Sequence, residues 1–483
     1  IIMQFTSLIG HSAQLYHILR KSHRTGEDIA SDYFRSRKYI GSKDRKFISE
    51  LLFSSLRVAT LIEYCAKQAS EIIPIELEQG YPYDVMVAHC MIGTALSSFP
   101  INQYLHPFFG IRDANEGIQL AIEEKLGLYD ESVESWKAEI EKAYEHILEE
   151  SKKIIENNDF SNEEQAHVFS LYCAMPLWII ERWHEQGTSY KDIAELCVSL
   201  HTVAPVGLRI NAEMISRQRA IDILRNNNIP CKPGAYSPYA IIMPERIPLT
   251  HLDVFLSGAI EVQDEGSQLI SLAVSPEEHW RILDYCAGAG GKSLHMAMLQ
   301  HDQGEILSTD IDYSRMREIR NRAERAGYHS ISIIPMHLKN HAKSALQQFA
   351  QTCDAVLVDA PCTGMGTVRR SPNIKWNLKK KHVESIQRTQ LEILTKASAY
   401  VKPGGVLVYA TCSLMQEENE EIVKRFLVEH PEFEQDPLQH AFPPEVSEIL
   451  LADDRNAAML SMNPAKHGSD GFFMCRMIRK PIE

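Results

Sequence analysis

The chain has 483 residues, 44% of them hydrophobic and 24% charged, and a formal net charge of −14, a make-up that excludes disordered and fibrous classes and leaves room for about three domains of roughly 150 residues. No stretch approaches the roughly 18 consecutive apolar residues of a membrane helix, and the opening residues lack the basic n-region of a signal peptide. The ten cysteines include no C-x-x-C pair, so no zinc site and no disulfide framework is expected, and a metal-free, monomeric protein of the reducing cytoplasm is the simplest reading.

From His11 to about Phe99 the apolar spacing is helical. Leu15, Ile18 and Leu19 recur at three and four residues, as do Ile48, Leu51, Leu52 and Leu56, with Ser42 as a candidate cap. Asp84–Ser98 continues the pattern, and Gly117–Asn158 reads as one long acidic amphipathic helix with Glu/Lys pairs. Phe160–Gln165 reads as a linker. Residues 1–165 are therefore expected to form an all-helical domain. Between Val206 and Met243 a strand, a helix from Ser216 and a second strand predict a small α+β module over residues 166–260. From 261 to 483 short apolar strands alternate with helices, the signature of an open, mostly parallel α/β sheet of Rossmann-like kind. Gly471–Met477 reads as its edge strand.

An acidic chain is an unpromising partner for nucleic acid, but the charge is uneven. Residues 121–165 hold fourteen acids against five bases, whereas residues 11–60 hold ten bases against five acids and residues 365–388 hold seven against one. The two basic stretches are candidate phosphate contacts, each equally readable as a solvated face. Arg369, Arg370 and Lys375 beside Trp376 suit a phosphate track with a stacking surface. Arg209, at a strand end, is a further RNA-binding candidate.

Arg281–Lys292 reads as a strand ending at Asp284, a glycine turn (Cys286, Ala287, Gly288, Ala289, Gly290, Gly291) and a helix start. Backbone in such a turn approaches a ligand closely, with helix N–H groups aimed at it. It matches neither the G-x-G-x-x-G fingerprint nor a phosphate loop. The next strand ends in Asp310, placed for a ribose diol. A glycine turn plus a ribose acid without pyrophosphate signals predicts an adenosine-type cofactor, S-adenosyl-L-methionine.

Two more strands end in cysteines: Asp359-Ala360-Pro361-Cys362 and Thr411-Cys412-Ser413. A free cysteine is ordinarily a small buried hydrophobe. Two at strand mouths beside a cofactor turn point instead to alkylation of an unactivated pyrimidine carbon. A thiolate adding at C6 of cytosine makes C5 enamine-like, and the thiol leaves once the C5 proton is lost. Asp359 is placed to steady N3/N4, and Lys292 to face the base O2 or the cofactor carboxylate. The target base must be single-stranded or flipped out.

Together, Leu283–Lys292, Asp359–Cys362, Lys375-Trp376, Gly404–Ser413 and Lys466–Phe473 resemble the RNA cytosine-5 methyltransferases of the Sun/Nop2 type. The resemblance runs from about Val262 onward, and more loosely through Pro176–Asn211. It implies that Cys412 is the nucleophile and that Cys362 assists release. DNA cytosine-5 methyltransferases use a Pro-Cys nucleophile, which makes Cys362 the rival. The basic N-terminal helices resemble the NusB-like domain of the bacterial 16S ribosomal RNA enzyme of that family, so ribosomal RNA is the expected acceptor, with transfer RNA or a non-catalytic RNA-binding role as alternatives. Two departures stand out. The turn reads Gly-Ala-Gly-Gly where relatives often have Ala-Pro-Gly-Gly, and His337 stands where relatives commonly place an aspartate near the adenine. Glu417-Glu418-Asn419 is read as opening the helix after Cys412, and His295 as a packed core histidine.

Overall fold

The computed structural model describes residues 3–22, 24, 26–75, 80–95, 116–336 and 345–481. The chain forms two compact units, one of Ile1–Val203 with Thr367–Leu378 and one of Ala204–Gly366 with Lys379–Glu483. A twelve-residue piece from late in the chain thus lies in the first unit.

The first unit is helical throughout its described residues, from Phe5–Arg20 to Tyr190–Leu200. The predicted apolar stripes supply its core: Leu15, Leu19, Ile48, Leu51, Leu52 and Leu56 are buried, whereas Ile18 is 42% exposed. Ser42 is the first helical residue rather than the cap, which falls on Gly41. The long acidic helix is broken. Gly127, at φ +66°, ends a π-turn over Ile122–Leu126, and a new helix runs Glu131–Asn157. One face of that helix buries Val133, Trp136, Ile140, Ile147 and Ile154. The other carries i,i+3 ion pairs such as Lys137–Glu134 at 3.0 Å and Lys142–Glu139 at 3.3 Å. The expected linker is partly a helix start, because Asn162 accepts from the Gln165 N–H at 2.9 Å.

Thr367–Leu378 plugs into this unit by polar contacts. Lys375 Nζ donates to the Arg57 carbonyl at 2.7 Å and Trp376 Nε1 to the Leu56 carbonyl at 2.8 Å. These are the orphan carbonyls ending the helix Ser42–Arg57, and a cation there also meets the negative end of the helix dipole. Arg57 in turn donates twice to the Arg369 carbonyl, at 3.1 and 2.9 Å. Asn373 and Asn377 donate to the Arg24 and Ser22 carbonyls.

The second unit holds two sheets. Strands β1 (Val206–Ile210), β2 (Lys232–Pro233), β3 (Ala240–Met243) and β4 (Ile260–Val262) form an antiparallel sheet in the order β2-β3-β1-β4. The helix Arg217–Asn226, capped by Ser216, covers one face with Ala220, Ile221 and Leu224. On the other face Gly207 lies so close to residues 263–265 that a Cβ there would stand 2.6 Å from the Gln263 carbonyl oxygen.

The larger sheet comprises β5 (Arg281–Asp284), β6 (Glu305–Asp310), β7 (Ile331–Pro335), β8 (Cys353–Asp359), β9 (Val401–Thr411), β10 (Phe433–Gln435), β11 (Met459–Met462) and β12 (Phe472–Arg479). Their order is β10-β12-β9-β8-β5-β6-β7, with β11 also paired to β12. β5 to β9 are parallel and β12 runs antiparallel to β9. This is the Rossmann-like sheet expected. β12 is not the edge strand predicted, since it lies between β9 and β10. Its Phe473, Met474, Cys475 and Met477 are all buried, which an edge facing solvent would not repay. The strand order reverses between β5 and β8, and ligands of such sheets sit at that crevice, outside the strands' carboxyl ends.

Candidate active site

The glycine turn leaves β5 at this crevice. Gly288 and Gly290 have φ +55° and +80°, a left-handed backbone that side chains resist. Gly288 N–H donates to Asp310 Oδ2 at 2.8 Å, so the acid ending β6 is tied to the turn. Arg209 Nη1 donates to the Gly291 carbonyl at 2.8 Å, and Arg322 Nη1 to the Ala289 carbonyl at 2.6 Å. Arg209 is thus buried behind the turn, its pKa lowered to about 9 by burial. It is not an RNA contact, because its guanidinium is spent on the turn and on Gln263. Arg369 and Lys375, likewise, are not placed to meet RNA. Both are buried in the first unit, and burial lowers Lys375 to about 7. Arg370, half-buried, belongs to the same plug.

At the floor of the turn Asp284 is fully buried. Its Oδ2 accepts from Ser293 Oγ at 2.6 Å, and its Oδ1 has no hydrogen-bond partner. Burial, opposed by Ser293 and Lys292, lifts its pKa to about 7. An unsatisfied buried acceptor beside a glycine turn fits a ligand that brings a positive charge, as S-adenosyl-L-methionine does with its ammonium and sulfonium. Asp310, half-buried at the rim, is available to a ribose. Cys286 and Ala287 line the start of the turn, and the Cys286 thiol is pushed up by burial and then by Asp359. His337 lies outside the described residues. His295 is a packed core side chain, edge-on to Tyr239 at 5.5 Å between ring centroids.

Across the crevice, at the end of β8, Asp359 Oδ2 receives a hydrogen bond from Lys292 Nζ at 2.6 Å. Burial alone would lower the lysine pKa, but Asp359 and then Asp284 outweigh it, and the net shift is upward. Lys292 is therefore a firmly charged ammonium on the wall of the crevice. The two strand-end cysteines meet: Cys362 Sγ and Cys412 Sγ are 3.3 Å apart. The Cys362 thiol is pushed well up, first by its hydrogen bond to Cys412 and then by burial.

Residues that motif reading passed over hold these loops. Gly366 N–H donates to the Cys412 carbonyl and Gly471 N–H to the Gly366 carbonyl, both at 2.9 Å. Glu418 does not serve as a solvated helix-opening charge. It is fully buried, with its carboxylate hydrogen-bonded to Thr363 and Ser413, the neighbours of the two cysteines. The only signal in the sequence was its place six residues after Cys412. Among the described residues no cluster of metal-ligating side chains occurs, and no helix is long and apolar enough to cross a membrane.

Residues 271–478 match the family model described as 16S rRNA methyltransferase RsmB/F, and residues 175–250 match the ferredoxin-like domain of the same family. A probable ribosomal RNA small subunit methyltransferase B of Bacillus subtilis is 32% identical over 307 residues, 63% of this chain and 66% of that one. A relative of the same description from Synechocystis is 26% identical over 93% of this chain and 94% of its own. The crystal structure of PH0851 shares the fold, with a TM-score of 0.68 at 21% identity over 99% of both chains. With both domains of one family in order along the chain, and a cofactor turn whose residues fit S-adenosyl-L-methionine, the protein belongs to the RsmB/F methyltransferases and takes that cofactor.

Proposed function

We propose that the protein methylates C5 of a cytosine in RNA, with small-subunit ribosomal RNA as the acceptor, through a covalent bond between Cys412 and C6 of the base. The observation that carries this reading is the pair of thiols 3.3 Å apart beside the Lys292–Asp359 ion pair. Unaided, C5 of cytosine is too poor a nucleophile to take a methyl group, and a thiolate adding at C6 supplies the electron density it lacks. The names of the relatives supply the acceptor.

The cofactor, when bound, supplies an electrophilic methyl group. Cys412 adds its sulfur to C6, and the C5–C6 double-bond pair moves onto C5. Asp359 hydrogen-bonds at N3/N4 and holds the electron-rich ring, while Lys292 keeps Asp359 in place. Once C5 carries the methyl, loss of the C5 proton to a base in the crevice re-forms the double bond and expels the Cys412 thiolate. Cys362 assists that departure. The assignment of the attack to Cys412 rather than Cys362 rests on the Thr411-Cys412-Ser413 run that resembles the nucleophile segment of the Sun/Nop2-type enzymes. The helical unit, of the NusB kind, serves to hold the RNA.

The test is transfer of labelled methyl to deproteinised small-subunit RNA, transfer RNA and duplex DNA by wild type, Cys412→Ala and Cys362→Ala. Label in ribosomal RNA, lost in Cys412→Ala and replaced by a trapped protein–RNA adduct in Cys362→Ala, is expected. Label confined to transfer RNA would move the acceptor and leave the chemistry. Cofactor binding without label in any acceptor would overturn the reading.

A further inference from the structure

A carboxylate taken wholly out of water costs several kcal/mol unless its oxygens are hydrogen-bonded. Glu418, in the short turn Gln416–Glu418 after the Thr-Cys-Ser stretch, is 0% exposed. Its side chain accepts four hydrogen bonds. Oε2 receives the Thr363 N–H at 2.8 Å and Gln390 Nε2 at 3.1 Å. Oε1 receives the Ser413 hydroxyl at 2.6 Å and the Thr363 hydroxyl. Thr363 directly follows Cys362, and Ser413 directly follows Cys412. One carboxylate therefore grips the residues adjoining both sulfurs.

The surrounding groups fix that carboxylate in turn. Gln390 also donates to the Pro361 carbonyl at 3.0 Å, just before Cys362. Tyr409 on β9 donates its hydroxyl to the Glu418 carbonyl at 2.7 Å. Asn419 accepts from the Thr411 hydroxyl at 2.6 Å and donates to the Ser413 carbonyl at 3.1 Å. A residue placed only to meet a helix dipole would have no reason to be buried or to bind two loops from different strands.

We infer that Glu418 is a positioning residue that sets the spacing of Cys362 and Cys412, and that its loss falls hardest on the step that uses both sulfurs. The inference deepens the reading above and rests on it for the word step, but the spacing itself is measurable without any RNA. Glu418→Gln keeps the size and replaces one acceptor oxygen by an NH₂ that cannot accept from Thr363 or Ser413. Thr363→Val removes one hydroxyl donor to the same carboxylate and leaves the main-chain bond, and it reads the same effect where Glu418→Gln fails to fold.

The first readout is thiol bridging. Diamide, a two-electron azo oxidant, takes one hydrogen from each thiol, becomes the hydrazide and leaves a Cys362–Cys412 disulfide, counted by mass spectrometry after proteolysis. Bridging in both variants is expected to be about tenfold slower than in wild type, because sulfurs displaced by about 1 Å lose the near-attack geometry. The second readout is kinetic. The turnover rate is expected to fall by about 10–100-fold with the KM for S-adenosyl-L-methionine unchanged, and trapped RNA adduct is expected to rise, as in Cys362→Ala. Wild-type bridging rates in a folded Glu418→Gln or Thr363→Val would overturn the inference. If slow bridging appears while no acceptor is methylated by wild type, the proposed function fails and the positioning role stands.

Discussion

Gly366→Ala is the sharpest single perturbation the structure offers. A Cβ at Gly366 would stand 2.0 Å from the Gly471 carbonyl oxygen, 2.7 Å from its carbon and 2.8 Å from the Cys412 carbonyl oxygen. All three are backbone atoms, so no side chain can swing aside. One of the three loops must move by about 1 Å, with overpacking of about 1–3 kcal/mol. The movement strains the two 2.9 Å bonds that join Gly366 to Cys412 and Gly471, each worth about 0.5–1.5 kcal/mol. The sum, roughly 2–6 kcal/mol, lies largely below the stability of most whole proteins at about 5–15 kcal/mol, and the thermal melt separates a chain that still folds with parted cysteine loops from one that does not. A displacement of about 1 Å costs about 10²-fold in rate. The assay pairs single-turnover methyl transfer with a thermal melt. Gly10→Ala serves as the control, since its Cβ meets nothing nearer than Tyr83 at 4.0 Å, and it should be neutral or mildly stabilising. Wild-type turnover and melting in Gly366→Ala would refute the close approach from which this reasoning starts.

Lys292→Met leaves Asp359 without its 2.6 Å partner in a largely buried pair, and it should lower the melting midpoint and reduce methyl transfer by about 10²-fold or more. Unchanged turnover would remove the ion pair from the proposed chemistry. Arg322→Met frees the Ala289 carbonyl and leaves the buried Glu261 with Arg325 as its remaining ion-pair partner, so cofactor affinity measured by calorimetry should weaken by about tenfold, with RNA binding intact. Loss of RNA affinity instead would assign the arginine to the acceptor. Lys375 titrates at about 7 when folded, against 10.5 for the free side chain. Between those values the unfolded chain holds more protons, so this lysine makes stability rise with pH and contributes no slope below about 7. Denaturant midpoints of wild type relative to Lys375→Met should therefore climb from about pH 7 to about pH 10, and parallel curves would contradict the buried placement.

Much of the catalytic unit was legible from short-range chemistry. Gly288 and Gly290 announce a left-handed turn, apolar runs ending in Asp284, Asp310 and Asp359 announce strands with acids at their mouths, and the helix after Lys292 follows at once. What misled was charge. Arg209, Arg369 and Lys375 look like phosphate contacts in a list of basic residues, but each is buried with its donors on protein carbonyls or with its carbonyl gripped by another arginine. Glu418 misled in the opposite sense, an acid beside a helix start that is in fact a hydrogen-bonded brace between two loops.

The sequence by itself determined the elements and the reactive groups, because turn chemistry, strand patterning and the presence of a thiol or carboxylate are properties of a few adjacent residues. Only the tertiary structure decided which of those groups meet. Cys362 and Cys412 are fifty residues apart in the chain and 3.3 Å apart in space, and Lys375 satisfies a helix end 318 residues before it. A polar side chain's role depends on whether packing gives it water or a partner, and that partner lies on another element that no local pattern names.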